Sequence, residues 1–479
     1  MQRYDSLLNS VSLFFRAVLK EYVYFCVLIN YIFIMFKEYL PFYKRNLKVA
    51  IPVMLSQAGQ VLVQQVDNMM VGAVGTVELA AAAFANSVFI LGLVFGMGIT
   101  FGLTPLVGHA WAKKNQQEAG ELLHNSLNTN IISTFILTVV LWIISYFFDY
   151  MGQTTEVVAL SVSYYRILVV SFIPFMLFFT FKQFAEGLAE TKHAMVITLF
   201  ANVVNIVLNY VLIFGKYGFP AMGLDGAGIA TLISRLLMPV MFWYLFIKND
   251  KFNIYYKIAL KARPNWEKVK QLMRVGLPIA TQIILEVAAF AMSGIMMGWL
   301  GVIPLAAHQI ALGLASVTFM IVTGIGSGTT IRVSHQFSSR DYVSMKKAAT
   351  ASVHMVVAMM SLTAILFAVY RFQLPYMYTQ DAEVISLAAQ LLIMAAIFQL
   401  FDGLQVVLLS ILRGMADVKS AMVYALIAYI FVNLPISYVL AFVFELGPIG
   451  IWIGFVFGIG LASLLFYIRI AKIYKRLGV

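Results

Sequence analysis

A series of apolar segments, each long enough to cross a lipid bilayer, constrains this chain more than any other feature. A membrane-spanning helix needs about 20 predominantly apolar residues, and twelve such segments lie between residues 48 and 473. Hydrophobic residues make up 62% of the 479 residues and charged residues only 11%, which excludes a water-soluble globule. We therefore predict an all-α integral membrane protein with twelve transmembrane helices. The predicted spans are 48–74, 79–104, 123–148, 158–181, 194–214, 227–247, 269–298, 304–331, 348–370, 384–412, 420–444 and 450–473.

Lysine and arginine in the short loops predict how these helices are oriented, because such residues are retained on the cytoplasmic side. The loops at one end of the predicted bundle offer only Lys216 and Arg371. We expect a multi-pass protein of the inner membrane with both termini in the cytoplasm. The loops at the other end carry Lys44, Arg45 and Lys48; Lys113 and Lys114; Lys182 and Lys192; Arg340, Lys346 and Lys347; Arg413 and Lys419; and Lys472, Lys475 and Arg476 in the tail.

Three segments lie outside the predicted bundle. Residues 1–45 form an N-terminal extension whose apolar stretch, 22–36, has about 15 residues and is too short to span. Either this stretch lies at the membrane interface or Met35 is the true start. Residues 248–268 form a basic linker, interpreted as an orientation signal and solvated connection rather than as a lipid-headgroup or partner site. Residues 474–479 form a cytoplasmic tail.

Several function classes find no support in the sequence. The net charge of +12 does not form the basic stripe that a nucleic-acid surface requires, so we expect no nucleic-acid partner. The single cysteine, Cys26, excludes an intramolecular disulfide and a cysteine-based metal site. Because no nucleophile–base pair, metal cluster or phosphate-binding glycine loop occurs, we expect neither enzyme activity nor a cofactor.

The chain is a tandem duplication, because a shift of 226 residues aligns its two halves. Each half has six predicted spans, so both enter the membrane in the same direction and form a parallel repeat. We assign residues 46–247 to an N-lobe and residues 269–473 to a C-lobe, which can rock against each other around a central cavity. The aligned pairs include Pro52 with Pro278, Gly72 with Gly298, Gly98 with Gly324, Gly102 with Gly328, His109 with His335 and, after small insertions, Gly187 with Gly414.

Glycines spaced four apart recur in both halves, as Gly98 with Gly102 and Gly324 with Gly328. Such steps let helix backbones approach closely in a membrane. We interpret them as packing positions.

Three carboxylates fall well inside predicted spans, namely Asp67, Glu286 and Asp402. A charge there costs about 2.5–3.5 kcal/mol on insertion scales, so it normally faces a polar cavity and marks an ion, proton or substrate path. The repeat does not share these acids, which align with Ser293, Gln60 and Phe175. The alternative is a structural ion pair with Arg166, Arg235 or Arg332.

Two asparagines on the fifth predicted span, Asn205 and Asn209, project from one helix face because they lie four residues apart. They either complete an oxygen-lined site with Asp67 or hydrogen-bond one helix to another. His308 and Gln309 lie at the predicted extracellular start of the eighth span. There we interpret the histidine as a capping or interfacial residue.

Several motifs from about residue 40 onward resemble those of the multidrug and toxic compound extrusion (MATE) family, specifically its NorM-like branch. They agree with a twelve-helix, two-lobed fold. The motifs are IPVMLSQ at 51–57, VDNMMVG at 66–72, NIVLNY at 205–210, LPIATQIILEVAAF at 277–290, AAHQIAL at 306–312, SGTTIRVSHQ at 327–336 and FDGLQVVLLSILRG at 401–414.

The resemblance implies roles for the buried polar residues. Glu286 and Asp402 match the acidic cation-binding pair of the C-lobe, a possible Na⁺ site, and Asp67, Asn205 and Asn209 match the N-lobe cluster tied to proton or sodium coupling. Phe398 stands one turn before Asp402, where related proteins often carry tyrosine, which leaves the coupling ion open. Residues 1–34 match nothing in the family, which favours the start at Met35.

The resemblance also implies the function. We expect an antiporter in which Na⁺ or H⁺ enters while an organic, usually cationic, amphipathic compound leaves, with such compounds and membrane lipids as its partners. The alternatives are a flippase for lipid-linked saccharides, and a membrane receptor or structural protein. The physiological substrate, the resting conformation and the oligomeric state are left open.

The predicted topology places Lys257 in the cytoplasm and Lys216 outside. Single cysteines introduced at these positions in a Cys26→Ser background should react with an impermeant maleimide from opposite faces of the membrane, because short-loop charge decides orientation. Labelling of both positions from the outside would contradict the twelve-span assignment.

Overall fold

The computed structural model describes the backbone from Gln2 to Val479 and the side chains from Lys37 to Val479. The described backbone contains helices and turns and no strand, which confirms the all-α fold class. The α-helices are α1 (Gln2–Gly72), α2 (Thr76–Phe101), α3 (Leu103–Ala112), α4 (Gln116–Ile144), α5 (Thr155–Gly187), α6 (Thr191–Phe214), α7 (Gly223–Lys248), α8 (Asp250–Lys261), α9 (Trp266–Leu300), α10 (Val302–Ser338), α11 (Tyr342–Val369), α12 (Ala382–Gly414), α13 (Val418–Leu426), α14 (Leu434–Tyr438) and α15 (Gly447–Leu477).

Short segments of other helix types complete the chain. The 3₁₀-helices are Ser145–Tyr150 and Leu374–Met377, and the π-helical stretches Ile427–Asn433 and Val439–Val443 flank α14. By its contacts the chain divides into two compact units, residues 1–45 and 46–479. The expectations for the stretch 22–36 and for a start at Met35 fall on residues whose side chains lie outside the described ones.

From Lys37 to Val479, twelve helices are long and apolar enough to cross a membrane, which confirms the predicted number. Most correspond to a single α-helix, whereas Thr76–Ala112 comprises α2 and α3, and Val418–Val443 comprises α13, α14 and the π-helical stretches. The linker between the lobes contains α8, which is amphipathic and buries Phe252 and Ala259.

Several helices extend beyond the predicted span ends, and two of these extensions change where a charged residue lies. The fourth span continues past residue 181 to Gly187, and the tenth past residue 412 to Gly414. Lys182 and Arg413, which the charge pattern placed in cytoplasmic loops, therefore lie within helices. The apolar run ends at each of these residues, but the helix does not, because the charged side chain meets polar partners inside the protein.

One helix in each lobe, α5 in the N-lobe and α12 in the C-lobe, packs mainly against three other helices of its own lobe. In the N-lobe, α5 packs against α2, α4 and α7, and its aromatic side chains, among them Phe178 and Phe179, form a buried cluster with Phe242 and Phe246. In the C-lobe, α12 packs against α10, α11 and α15. Since α5 and α12 are equivalent in the repeat, each lobe contributes an equivalent helix to the wall of the cavity between the lobes.

The glycines with matched spacing bring the two lobes into close contact. A Cβ atom at Gly98 would overlap the backbone of Ala280, and one at Gly102 would overlap Gly276, so α2 crosses α9 at van der Waals distance. The equivalent crossing joins α10 to α1, where Gly324 lies against Met54. The packing role predicted for these glycines therefore falls at the interface between the lobes.

Substituting Gly98 should weaken this interface, since an added methyl group has no space to occupy. We expect Gly98→Ala to destabilise the protein by about 1–3 kcal/mol, the usual effect of overpacking, measured as a lower thermal midpoint in detergent. Gly294 on α9 is the matched control, because no atom lies within 4 Å of a Cβ built there. Gly294→Ala should be neutral or stabilising. Equal midpoints for the two variants would contradict the tight crossing.

Candidate functional site

A cavity of about 500 Å³ lies between the two lobes. Its wall combines residues of α1, α2, α3 and α5 with residues of α9, α10 and α12. Five charged side chains line it: Lys182, Glu186, Glu286, Asp402 and Arg413. The two halves of the repeat thus meet around a largely apolar cavity that contains charged side chains, within the membrane-spanning bundle.

The structure brings Glu286 and Asp402 together in this cavity. They project from α9 and α12, near enough for their charges to interact. Asp402 is only 4% exposed, and among residues 37–479 no hydrogen bond reaches its carboxylate, whereas Glu286 is half-buried and accepts a hydrogen bond from Gln282 Nε2 at 2.9 Å. Oxygen ligands of this kind suit a hard cation, although among residues 37–479 no three His, Cys, Asp or Glu side chains are placed so that they could hold a metal ion together.

Aromatic rings cover much of the cavity wall around these acids. Phe290 and Phe398 meet edge to face with their centroids 6.2 Å apart, and Phe101, Phe179 and Phe319 line the same space. The ring of Phe398 is buried one turn before Asp402, so this position supplies no oxygen. A flat, apolar molecule with a positive charge would find both ring faces and carboxylates here.

The arginine that approaches Glu286 is none of those considered from the sequence. Arg413 Nη2 donates to Gln282 Oε1 at 2.5 Å, and Gln282 in turn donates to Glu286. Its guanidinium also lies 6.0 Å from the ring of Phe101 on the opposite lobe. A three-residue chain therefore joins the carboxylate on α9 to the end of α12.

The N-lobe contributes an ion pair that sequence reasoning missed. Lys182 Nζ lies 3.9 Å from Glu186 Oε1, with both side chains at least 96% buried. Lys182 also lies 4.9 Å from the ring centroid of Phe179. The repeat held a usable signal, because Glu186 and Arg413 each stand one residue before a matched glycine and so occupy equivalent positions in the two lobes.

A second polar centre lies in the N-lobe and joins three helices. Asn209 Nδ2 donates to Asp67 Oδ1 at 2.5 Å and to Asn205 Oδ1 at 3.2 Å, and Asn205 Nδ2 donates to Thr231 Oγ1 at 3.5 Å. Asn209 is fully buried and Asp67 half-buried. Asp67 is not among the residues that line the cavity between the lobes. In the part of the chain whose side chains are described, the three acids predicted within spans therefore lie in two separate places, the cavity and the N-lobe cluster.

Of the three arginines considered for ion pairs, Arg235 is the one that interacts electrostatically with Asp67. Its guanidinium lies over the rings of Phe175, at 4.9 Å, and Phe89, at 5.4 Å, and donates to Ser171 Oγ at 2.8 Å. Arg166 instead stacks on aromatic rings of α4 and the following turn. The Asp67 cluster therefore combines a carboxylate, two amides and a nearby cation.

The capping role considered for His308 is wrong, because neither ring nitrogen has a hydrogen-bond partner among the described residues. Its side chain is fully buried, parallel to the ring of Phe455 and edge-on to Trp452. Helix α10 begins at Val302, so His308 lies more than one turn inside the helix. Aromatic packing in the C-lobe therefore encloses the imidazole.

Comparison with known proteins gives a consistent result. The sequence model of the family described as MatE matches residues 52–211 and 278–439, one copy in each lobe. The multidrug resistance protein NorM of Photobacterium profundum is 34% identical over 404 residues, 83% of this chain and 87% of that protein. The probable multidrug resistance protein NorM of Rhizobium meliloti is 31% identical over 439 residues, 91% of this chain and 94% of that protein.

Solved structures share the fold. One described as the outward-facing conformation of a multidrug resistance MATE family transporter of the MOP superfamily has a TM-score of 0.82 at 20% identity, covering 91% of this chain and 97% of that one. The eukaryotic MATE transporter AtDTX14 has a TM-score of 0.81 at 19% identity, covering 92% of this chain and 99% of that one. At these identities the likeness concerns the fold alone.

Removing the amide of Asn209 should destabilise the N-lobe cluster, because it leaves the Asp67 carboxylate without its donor. We expect Asn209→Ala to cost about 1.5–3 kcal/mol, as for hydrogen bonds to charged groups, and to cost less in an Asp67→Asn background. The measurement is the thermal midpoint of the single and double variants.

Asn202 is the matched control on the same helix, since its buried Nδ2 has no partner among the described residues. Asn202→Ala should change the midpoint little. If Asn209→Ala cost the same with and without the charge at Asp67, the two residues would not be coupled.

Proposed function

Because this chain belongs to the MATE family, we propose that it is a multidrug efflux antiporter that exports organic, mostly cationic amphipathic compounds in exchange for Na⁺ or H⁺. The observation that carries this proposal is the cavity shared by both lobes, in which Glu286 and Asp402 lie among aromatic rings. The relatives named as multidrug resistance proteins support the same activity. The proposed setting is the inner membrane, with both termini in the cytoplasm.

The charges of the cavity favour a cationic cargo. Of its five charged side chains three are acidic and two basic, and each basic group already has a polar partner within the protein. Lys182 pairs with Glu186, and Arg413 is bonded to Gln282. Asp402 is left with the repulsion of Glu286, which a bound cation would relieve.

The proposed mechanism is alternating access of this cavity. The two lobes rock against each other as parallel repeats, so that the cavity opens to one side of the membrane at a time. A ligand shifts such an equilibrium only through its different affinities for the two states. The coupling ion and the organic compound therefore exchange most simply if they compete for the same carboxylates.

The N-lobe cluster is proposed as a second coupling site. Asp67 is the acid there, and Asn205 and Asn209 are its supporting polar residues, held together by the hydrogen bonds between α1 and α6. Because none of the three lines the cavity between the lobes, the cluster suits ion or proton binding rather than contact with the cargo.

A flippase for lipid-linked saccharides is the alternative that one observation favours, because Lys182 and Arg413 line the cavity and an anionic pyrophosphate would need such cations. Both are already paired, however, and acids outnumber them. A receptor or structural protein would have no use for asymmetric acids in a cavity between two lobes. The antiporter therefore remains the function that the geometry supports best.

Competition between the ion and the cargo should be measurable as binding. The dissociation constant of the fluorescent cation ethidium for the purified protein should rise about tenfold as Na⁺ rises or as pH falls, which corresponds to about 1.4 kcal/mol of coupling. Glu286→Gln and Asp402→Asn should reduce this ion dependence, since each removes a shared carboxylate.

Matched controls lie on the same two helices. Glu267 and Glu383 are exposed acids in the first turns of α9 and α12, and their change to glutamine should leave the ion dependence unchanged. Ethidium affinity independent of both ions in the unsubstituted protein, or full ion dependence in both cavity variants, would contradict the proposed coupling site.

A further inference from the structure

Two histidines form reciprocal hydrogen bonds between the lobes. His109 Nε2 on α3 bonds to the carbonyl oxygen of Gly414 at 2.9 Å, and His335 Nε2 on α10 bonds to the carbonyl oxygen of Gly187 at 2.7 Å. In both cases the ring nitrogen must donate, because a carbonyl oxygen only accepts. These four residues, here named the histidine latch, consist of two pairs that are equivalent in the repeat.

The histidine latch lies at the end of the bundle that carries loops 113–115, 188–190, 339–341 and 415–417, here named the basic end. Neighbouring contacts reinforce it: the Trp111 ring stacks on His335 at 4.3 Å, and Ser338 Oγ donates to the carbonyl oxygen of His109 at 3.1 Å. The lobes are therefore closed against each other here. Opening of the cavity toward the basic end must break both histidine bonds.

A charged residue that lines the cavity precedes each accepting glycine. Glu186 precedes Gly187, and Arg413 precedes Gly414. Arg413 is bonded through Gln282 to the carboxylate of Glu286, and its guanidinium reaches the N-lobe ring of Phe101. The hydrogen-bonded chain from Glu286 thus ends one residue from the carbonyl that His109 holds.

We propose that Arg413 is a positioning residue that holds the histidine latch closed while Glu286 is unoccupied and releases it when a cation binds there. An unoccupied carboxylate orients the amide of Gln282, whose oxygen fixes the guanidinium at the end of α12. A cation at Glu286 neutralises the charge that orients this chain, so Arg413 loses its fixed position and the latch weakens. The inference rests on the proposed antiport, and it assigns to Arg413 a role in conformational control.

Such a link meets a requirement of antiport. After an antiporter has released its cargo, its cavity must not reopen to the original side without a bound ion. Such a change of state would let cargo cross the membrane without movement of the coupling ion. A latch that stays closed until Glu286 is occupied prevents such a change from the state seen here. Either the coupling ion or a cationic cargo at Glu286 can release it, since both neutralise the same carboxylate.

The test measures the separation of the lobes at both ends of the molecule. In a Cys26→Ser background, spin labels at Lys114 and Arg340 report on the basic end, and labels at Tyr217 and Glu445 report on the opposite end; all four residues are exposed. Rocking of the lobes should lengthen the first distance as it shortens the second, which distinguishes it from unfolding.

Four variants separate the steps of the proposed link. Glu286→Gln and Arg413→Gln should each raise the ratio of separated to closed basic ends about tenfold, and together they should raise it no further than either alone, because both break one chain. Arg413→Lys, which keeps the charge, should restore part of the closed population. If Arg413→Gln does not fold, Gln282→Met cuts the same chain and should give the same result.

The matched control is Arg166→Gln, which removes an arginine that stacks on Trp142 and Tyr146, away from the cavity. It should leave both distances unchanged. The inference is overturned if Arg413→Gln and Gln282→Met keep the closed distances of the unsubstituted protein. It is also overturned if adding Glu286→Gln to Arg413→Gln or to Gln282→Met raises the separated population by a further factor of about ten.

Ethidium binding measured on the same samples reports on the proposed function separately. In one outcome, ethidium binding to the unsubstituted protein depends on the ion, but Arg413→Gln leaves the distances unchanged. This outcome overturns the role of Arg413 and leaves the proposed antiport intact. Ethidium binding that no ion affects in the unsubstituted protein contradicts the antiport itself, and with it the inference.

Discussion

Placing a carboxylate inside a membrane costs free energy. The positions of Glu286 and Asp402 reduce that cost. Neither acid faces lipid, because both line the cavity between the lobes. The helices satisfy the backbone on their own, so the interior of the bundle is free to hold side-chain polar groups. The two-lobed arrangement is what provides a cavity large enough for these acids and, in the proposed function, for their ligands.

Residues that the two halves share and residues that only one half carries have different roles in this molecule. Elements that the two halves share, such as the glycine crossings at Gly98 and Gly324 and the latch residues His109 and His335, join lobe to lobe. The acids are not shared. An interface that both halves build alike can open and close as one unit, whereas a charge present in one half alone provides, in the proposed function, a single site for the coupling ion and the cargo.

Much of the fold could be predicted because it depends on local composition. Twelve spans follow from apolar runs, and the duplication follows from one long register. The ends of α5 and α12 could not be predicted, because a charged residue after an apolar run resembles the start of a loop. The partner of Lys182 is only four residues away, but the burial of this pair depends on helices that are distant in sequence. The bond between Arg413 and Gln282 joins residues 131 positions apart, and the burial of His308 depends on aromatic rings of α15. Neither relation has a local signature.

The central claim is that cation entry drives the outward movement of an organic cation through the cavity between the lobes. Its most direct test is transport in proteoliposomes, with an imposed Na⁺ or H⁺ gradient and equal ethidium concentrations on the two sides at the start. The account predicts that ethidium moves against its own gradient only when the ion gradient runs the other way, and that a reversed ethidium gradient moves the ion in return. Ethidium movement that is independent of both the Na⁺ gradient and the H⁺ gradient would contradict the proposed antiport.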